Sequence, residues 1–394
     1  MKKLNIRNFM KGTMVLAVAA LLATSCNTPG AGKSEGGDSA TATNTTREIW
    51  TAQQANDWNA KQPWYVGANF LPSTAINQLE MWQAETFDTA TIDKELALAA
   101  SIGMNVMRVY LHDLVFKNDE QGFYDRINKF LEIADRHKIK ILFTIFDSCW
   151  DPFPKAGKQR DPKPFTHNSG WAQSPGQAVL KDSTQYPALE HYVKSIVGKF
   201  ANDQRIIAWD VWNEPDNMTG SSYQKVEIPN KVELVLPLLK KTFEWARSAN
   251  PSQPLTSGVW AGNWESDSTL KPIERLQLEE SDIVSFHCYD DSVTLRKKIN
   301  ELKRYNKPLW CTEYMARPNK STFQSSLPIG KENKVAMINW GFVDGKSQTI
   351  YPWDSWTKTY TGEPPLWFHD IFRKDGTPYK QEEVDFIKTM TGKQ

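Results

Sequence analysis

The sequence contains few cysteines, four in 394 residues. Cys26 lies near the amino terminus, and Cys149, Cys288 and Cys311 lie in or beside apolar segments. Three thiols cannot all pair, so buried unpaired thiols are expected in preference to a disulfide framework or a metal site. The sequence also lacks an H-E-x-x-H motif and any clustered His, Cys and Asp spacing, so we expect neither a metal nor an organic cofactor.

Neither sign of charge dominates the sequence, because 47 Lys and Arg residues face 46 Asp and Glu residues and the net charge is +1. Proteins that bind nucleic acid carry a basic patch or a strongly basic balance of charge. The composition therefore excludes nucleic acid as a partner. We expect the protein to act as a monomer.

Long apolar runs are absent beyond the amino terminus, where residues 14–22 are apolar but too short for a permanent transmembrane helix. Basic residues precede this run, and small residues follow it and lead to Cys26. The arrangement resembles a bacterial lipoprotein signal, so we expect residues 1–25 to be a signal peptide and Cys26 to carry a lipid. The alternative is an ordinary secretory signal.

Residues 26–46 consist largely of Gly, Ser, Thr and Ala and predict a disordered tether, because they cannot bury a core. The protein is therefore expected to be secreted and held on a membrane by its lipid. The expected location is the periplasm, the outer membrane or the cell surface of a bacterium.

The remaining residues, 47–394, number 348 (394 − 46) and suit a single barrel domain with insertions. Apolar segments typical of strands alternate with segments of helical periodicity. The strand segments are 65–70, 105–110, 139–146, 206–212, 254–259, 283–288, 308–313 and 335–343. The helical segments are 91–101, 125–137, 186–200, 232–249 and 295–305. This alternation predicts the α/β class, and eight strands without a G-x-G-x-x-G motif predict a (β/α)8 TIM barrel.

One long connection, residues 147–185, follows the third strand segment and is rich in Pro, Gly and polar residues. It also contains the aromatic residues Trp150, Phe153, Phe165 and Trp171. A connection of this length in a compact domain is usually functional, and after a barrel strand it lies on the catalytic face.

Two strand segments lead directly to a glutamate, within W-D-V-W-N-E-P (209–215) and P-L-W-C-T-E-Y (308–314). Glu214 and Glu313 are 99 residues apart (313 − 214) and follow different strands. The carboxyl ends of barrel strands share one face, so the two side chains are expected together. Hydrolysis of a glycosidic bond needs two carboxyl groups. One protonates the leaving oxygen, and the other attacks or stabilises the anomeric carbon.

These motifs resemble those of glycoside hydrolase clan A and, within it, glycoside hydrolase family 5, the cellulase and mannanase family. The resemblance extends from about residue 50 to about residue 391. It implies that Glu214 is the general acid/base, that Glu313 is the nucleophile, and that Asn213 binds a sugar hydroxyl. The implied activity is that of a retaining β-glycosidase acting on a polysaccharide or oligosaccharide of the β-glucan, mannan or xylan type. The carboxyl groups of such enzymes are about 5–5.5 Å apart.

Other strand ends carry residues that match this family. Arg108 lies in an apolar strand, where a charge needs a partner. The resemblance implies contact with Glu313, and the alternative is a structural pair with another acid. A period of two places His287 and Tyr289 on one face of their strand, and we expect both, like Arg108, to approach Glu313 and not Glu214. Trp340 resembles the aromatic floor beneath the sugar, with a core tryptophan as the alternative.

The remaining candidates are His112, Asp147 and Trp150. His112 either borders the sugar site or caps a loop. The family usually has a histidine near the end of the third strand, whereas residues 146–150 here read F-D-S-C-W, so Asp147 is expected to bind sugar hydroxyls instead. Aromatic rings stack on the apolar faces of sugars. Six of the 16 tryptophans lie in expected catalytic-face loops, namely Trp150, Trp171, Trp260, Trp264, Trp353 and Trp356.

Two alternatives to a polysaccharide hydrolase stay open at this point. One is an exo-acting β-glycosidase on short glycans. The other is a non-catalytic glycan-binding lipoprotein on the same barrel, although both glutamates are present, and loss of catalysis usually removes one.

Overall fold

The structure, a computed structural model, describes residues 46–393. The expected signal peptide (1–25), the lipid site at Cys26 and all but the last residue of the expected tether (26–46) lie outside the described residues. None of the helices in residues 46–393 is both long and apolar enough to cross a membrane.

Eight parallel strands form a nearly closed barrel, which confirms the predicted (β/α)8 fold. The strands are β1 Val66–Asn69, β2 Val106–Tyr110, β3 Lys140–Asp147, β4 Ile206–Asn213, β5 Leu255–Thr256, β6 Val284–His287, β7 Leu309–Glu313 and β8 Ala336–Asn339. Their order in the sheet is β5-β4-β3-β2-β1-β8-β7-β6. An isolated parallel bridge between Val259 and Phe286 joins the two edges, β5 and β6.

Helices surround this barrel. They are α1 Ala52–Asn59, α2 Gln78–Trp82, α3 Thr89–Ser101, α4 Asp113–Asn118, α5 Glu120–Arg136, α6 Gln177–Leu180, α7 Tyr186–Lys199, α8 Gly220–Tyr223, α9 Lys231–Ser248, α10 Pro272–Glu280, α11 Ser292–Leu302, α12 Phe323–Asn333 and α13 Gln381–Thr391. In α5 the Asp119 carboxylate caps the first turn, and the apolar residues Phe123, Ile127, Phe130 and Ala134 recur at helical spacing and are buried.

Each strand presents two different faces, as the residues of β2 illustrate. Met107 and Val109 pack in the large hydrophobic cluster that includes the helices, whereas Val106 belongs to a small cluster inside the barrel. Arg108 and Tyr110 share the inward face of Val106, because side chains alternate along a strand. Their polar groups therefore point into the barrel near the carboxyl ends of the strands, where the two glutamates follow β4 and end β7.

Candidate active site

Glu214 and Glu313 meet at the carboxyl end of the barrel. One carboxylate oxygen of Glu214, one of Glu313 and a ring nitrogen of His287 all lie within 4.8 Å of one another. Both glutamates are buried, with exposed fractions of 7% and 4%. This separation is close to the short spacing of about 5–5.5 Å in retaining enzymes and fits direct attack of a carboxylate on an anomeric carbon.

Glu214 is held in a strained backbone conformation and is surrounded by neutral donors. Its φ angle is 42°, in the left-handed region that costs a non-glycine residue about 1–3 kcal/mol and that is often found at functional sites. Asn217 Nδ2 donates to Glu214 Oε2 at 2.6 Å, and the Cys149 thiol approaches the same oxygen at 3.3 Å. Burial raises the pKa of Glu214 to about 7, so this carboxyl group can hold a proton near neutral pH.

Glu313 has a cationic and hydroxyl environment instead. Arg108 Nη1 donates to Glu313 Oε1 at 2.8 Å, and Tyr110 Oη donates to the same oxygen at 2.9 Å. Tyr289 Oη donates to Glu313 Oε2 at 2.7 Å. Burial raises the pKa of Glu313, while its neighbours His287, Arg108 and Tyr289 act in the opposite direction. These contacts all favour the ionised form of Glu313 over that of Glu214.

Arg108 connects this environment to the barrel interior, since its side chain is fully buried and does not line the cavity. Its Nε and Nη2 atoms both donate to Asp210 Oδ2, at 3.0 and 2.6 Å. Nη2 also donates to Asn213 Oδ1 at 2.7 Å, and Nη1 to Asn69 Oδ1 at 2.9 Å. Both alternatives for Arg108 therefore hold, because it contacts Glu313 and also pairs structurally with Asp210.

His287 departs from the expected geometry. Its Nδ1 lies 2.8 Å from Glu214 Oε1 and 3.4 Å from Glu313 Oε2, so the ring bridges the two carboxylates instead of facing Glu313 alone. The expectation failed because alternation along the strand gives the face on which His287 lies but not the position of the Glu214 carboxylate across the barrel. Burial lowers the pKa of His287 to about 4, which leaves the imidazole neutral near pH 7.

Glu214, His287 and Glu313 also form the one cluster among residues 46–393 whose ligand atoms are close enough to hold a metal ion. The Arg108 guanidinium already balances the charge of Glu313 at 2.8 Å and would repel a cation there. The acid–base pairing of two carboxyl groups accounts for this cluster more simply.

A cavity of about 260 Å³ opens above the two glutamates. Trp340, which directly follows β8, lines it, as do Trp150 and Asn213. The other aromatic residues of its lining are Trp171, Trp260, Tyr289, Trp353 and His167. Apolar rings beside a few polar groups are the lining expected for a sugar site.

Four sequence candidates do not line this cavity, namely Arg108, His287, His112 and Asp147. His112 is fully buried and caps α4, where its Nδ1 accepts from the Leu114 N–H, so the loop-capping alternative describes it. Asp147 is buried beneath the site, and its carboxylate accepts from Trp171 Nε1 at 2.6 Å and Asn213 Nδ2 at 2.9 Å. The expectation that Asp147 binds sugar is thus corrected, because protein donors occupy both of its oxygens.

The expected loop tryptophans also divide into two groups. Trp150, Trp171, Trp260 and Trp353 line the cavity. Trp264 is fully buried and packs on Phe286. Trp356 stacks behind Trp150, with ring centroids 5.8 Å apart.

Sequence reasoning missed several residues of the site, namely Tyr110, Asp210, Cys149, Asn217 and Asn168. The alternation that pointed Arg108 inward applies equally to Tyr110, and Asp210 is a second charge in an apolar strand, so both carried a usable signal. Cys149 was expected to be a buried free thiol, which is confirmed, and burial raises the pKa of this thiol. No pattern in the sequence indicated its contact with Glu214.

The sequence matches the family model described as cellulase (glycosyl hydrolase family 5) over residues 67–358. Among curated proteins, none matches the sequence. An exo-beta-1,4-mannosidase from Opitutaceae bacterium strain TAV5 is similar in structure, with a TM-score of 0.56, 18% identity, and coverage of 87% of this chain and 61% of that chain. This chain thus spans less than two thirds of that protein.

Two further solved structures show the same fold. One is an endo-beta-1,4-mannanase from Thermotoga petrophila, with a TM-score of 0.54, 13% identity, and coverage of 85% of this chain and 77% of that chain. The other is an endo-1,4-beta-mannanase from Rhizomucor miehei, with a TM-score of 0.53, 14% identity, and coverage of 84% of this chain and 95% of that chain. Identities this low show a likeness of fold alone.

Proposed function

Because the chain belongs to glycosyl hydrolase family 5, it is a glycoside hydrolase, and we propose that it is a retaining β-glycosidase with Glu313 as nucleophile and Glu214 as general acid/base. The observation that carries this proposal is the approach of the two carboxylates to within 4.8 Å. Inverting enzymes keep their carboxyl groups about 6.5–9.5 Å apart to admit a water.

In the first step, protonated Glu214 gives its proton to the glycosidic oxygen while a Glu313 oxygen forms a bond to the anomeric carbon. The bond between that carbon and the glycosidic oxygen breaks, and the leaving group departs as an alcohol. In the second step, ionised Glu214 takes a proton from water, and the resulting hydroxide attacks the anomeric carbon and displaces Glu313. Both glutamates return to their starting protonation states.

The surroundings of the glutamates support this division of roles. The Arg108 guanidinium stabilises the charge that the nucleophile needs. Tyr289 donates to the second oxygen of Glu313. Neutral His287 contacts both carboxylates, so its hydrogen bond can adjust as Glu214 loses and regains its proton. Asn213 lines the cavity next to Glu214, and its amide is held by Arg108, Asp147 and Cys149.

The substrate class proposed here is a β-linked glycan of the glucan, mannan or xylan type. Trp340 would form the floor beneath the sugar whose bond is cleaved, since its ring lines the cavity beside Glu313. Similar folds include enzymes described as β-1,4-mannosidase and β-1,4-mannanase, so β-mannosides come first among the substrates to test. We also propose that the protein is a secreted monomer anchored to a membrane by a lipid on Cys26.

The direct test is hydrolysis of 4-nitrophenyl β-mannoside, β-glucoside and β-xyloside, with the first anomer released identified by proton NMR. We expect turnover of at least one substrate and release of the β anomer, which mutarotates later. Glu313→Gln should be inactive, whereas Glu265→Gln, at an exposed glutamate after β5, should behave as the wild type. Release of the α anomer would contradict the proposed nucleophile. Inactivity both on these three glycosides and on the corresponding β-1,4-linked hexaoses would contradict the proposal itself.

A further inference from the structure

One side of the cavity is closed by a wall made of residues 163–171, after β3, and residues 345–356, after β8. The Asn168 N–H donates to the Ser347 carbonyl at 2.8 Å, and Gln348 Nε2 donates to the Lys163 carbonyl at 2.7 Å. The Trp356 Nε1–H donates to the His167 carbonyl at 2.8 Å. These bonds join residues 179 to 189 positions apart in the chain, so the wall is a built feature and not the incidental approach of two loops.

The loop after β1 completes this wall. The Lys346 N–H donates to the Ser73 carbonyl at 3.0 Å, and Lys346 Nζ pairs with Glu80 at 2.6 Å. Asn77 Nδ2 donates to the Gly170 carbonyl at 2.9 Å. Strands β2 and β1 lie between β3 and β8 in the sheet, so the wall crosses the ends of these two strands.

The open side of the cavity lies at the loops after β4 and β5, where Gly220 and Ser221 are exposed and Trp260 is half-buried. The loop after β4 also meets the edge of the wall, because the Tyr223 hydroxyl donates to the Ser169 carbonyl at 3.2 Å. The turn after β6 is short, because α11 begins at Ser292, five residues beyond the end of β6 at His287 (292 − 287).

The proposed mechanism decides which part of a substrate faces each side. The glycosidic oxygen must lie at Glu214 and the anomeric carbon at Glu313, so the leaving group extends past Glu214 towards the open side. The sugar that is transferred, the glycone, then lies over Trp340 and points at the wall. A polysaccharide cut internally would need a path through that wall for the sugars that precede the glycone.

Asn168 stands in the wall at this closed end and lines both this cavity and a smaller one of about 20 Å³ beside Trp340. Its side chain is 1% exposed, yet neither Oδ1 nor Nδ2 has a hydrogen-bond partner within residues 46–393. A buried amide with both groups unpaired is costly and calls for a ligand. Two neighbouring sugar hydroxyls offer one donor and one acceptor, which match the two ends of a carboxamide.

We infer that the enzyme is exo-acting: it removes a single sugar from the non-reducing end of a glycan, and Asn168 binds two adjacent hydroxyls of that sugar. This inference rests on the retaining β-glycosidase proposed above. The wall admits one glycone sugar, and the open side accepts the remainder of the chain as the leaving group.

The first test follows the products of the full chain acting on borohydride-reduced hexaoses of β-1,4-mannan, β-1,4-glucan and β-1,4-xylan, beside the three 4-nitrophenyl monoglycosides. We expect the free monosaccharide and the alditol shortened by one sugar as the early products. Early release of di- or trisaccharides would overturn exo action and leave the retaining glycosidase standing. Turnover of a monoglycoside with every hexaose untouched supports the one-sugar pocket, and inactivity on all substrates removes both proposals together.

The second test assigns the hydroxyls that Asn168 binds. Aryl glycosides that lack one ring hydroxyl at a time should lose on the order of 10- to 100-fold in kcat/KM at two adjacent positions with the wild type. These two losses should largely disappear in Asn168→Ala and persist in Asn202→Ala, a control at an exposed asparagine on the far face. Asn168→Asp, which tolerates the same left-handed backbone (φ 46°), is the second variant if the alanine variant does not fold. Losses of wild-type size in both Asn168 variants would overturn the assignment.

Discussion

Glu214 and Glu313 have identical side chains, and the residues around each carboxyl group give it a different chemical role. Glu214 accepts from an amide and a thiol, whereas Glu313 accepts from a guanidinium and two tyrosine hydroxyls. Burial disfavours ionisation of both carboxyl groups. At Glu313 the Arg108 guanidinium counteracts this effect of burial, because it favours the ionised form. The acid and the nucleophile are thus separated by their neighbours and not by their own structure.

The pH dependence of kcat/KM should report the proton on Glu214. Its pKa is about 7, so we expect activity to fall as the pH rises through about 7 and the acid is lost. The hydrogen bond from Asn217 stabilises the ionised form, so Asn217→Ala should raise this pKa and move the basic limb to higher pH. Asn202→Ala is the control. A basic limb that stays in place, or moves to lower pH, would show that another group limits the rate.

Arg108 should be required for both stability and activity. Its loss in Arg108→Ala leaves Asp210 and Glu313 buried without their cation, and such a loss typically costs about 3–5 kcal/mol of unfolding free energy. Arg108→Lys keeps a charge but cannot make the forked contact with Asp210, so we expect intermediate stability and a kcat/KM lower by on the order of 100-fold. Urea denaturation and steady-state kinetics measure the two effects. Wild-type stability of Arg108→Ala would contradict the pairing.

A residue of the site could be predicted from the sequence when it lies at or near the end of a strand. Glu214, Glu313, Tyr289 and Arg108 lie at or near strand ends, and alternation along a strand sets their direction. Cys149 and Asn168 lie in the long loop after β3, where no period applies. Their positions depend on contacts with Glu214 and Ser347, which are 65 and 179 residues away in sequence (214 − 149; 347 − 168).

At the scale of elements, all eight strands were predicted, because buried parallel strands read as short apolar runs between polar segments. The expected fifth strand, 254–259, is reduced to Leu255–Thr256, since its partner β6 meets it through one isolated bridge at Val259. Five of the thirteen helices in residues 46–393 were predicted, and eight were missed, namely α1, α2, α4, α6, α8, α10, α12 and α13. Most of the missed helices are short, and α10 and α12 also contain Pro272 and Pro328, so their periodicity is weak.

Helix α9 is tied to the active-site loops by a buried ion pair between Lys231 and Glu227, each with no exposed side-chain surface. Lys231 Nζ also donates to the carbonyls of Ser148 and Asn217. We expect Lys231→Met to cost about 3–5 kcal/mol of unfolding free energy, because Glu227 would remain buried and unpaired. Adding Glu227→Gln should recover part of that loss.

The matched control for this pair is Lys240→Met, which breaks an exposed pair with Glu244 on the same helix. Exposed pairs of this spacing contribute about 0.3–0.5 kcal/mol, so the change should be small. Thermal or urea denaturation measures all three variants. Equal losses for Lys231→Met and Lys240→Met would contradict a structural role for the buried pair.

At the scale of the whole molecule, the described chain begins on the barrel face opposite the glutamates. Arg47 Nη2 and the Trp50 N–H both donate to Asp282, which precedes β6, at 2.7 and 2.8 Å. No helix of residues 46–393 is both long and apolar enough to cross a membrane. The membrane anchor proposed above is a lipid on Cys26.

The full chain expressed in a bacterium should therefore partition into the detergent phase of Triton X-114, and Cys26→Ser should move it to the aqueous phase. Cys288→Ser, at a buried thiol that leaves Cys26 intact, is the control. Aqueous partition of the wild type would favour the ordinary secretory signal over the lipoprotein signal.

The central claim is that Glu214 is the acid/base and Glu313 the nucleophile, and rescue by azide tests it most directly. With an activated aryl β-glycoside the leaving group needs little protonation, so Glu214→Ala should still form the covalent intermediate and then hydrolyse it slowly. We expect added azide to accelerate Glu214→Ala and give the β-glycosyl azide, and Glu313→Ala to give at most the α-glycosyl azide. The opposite pattern would show that the two roles are reversed, and rescue of neither variant would contradict the two-glutamate mechanism.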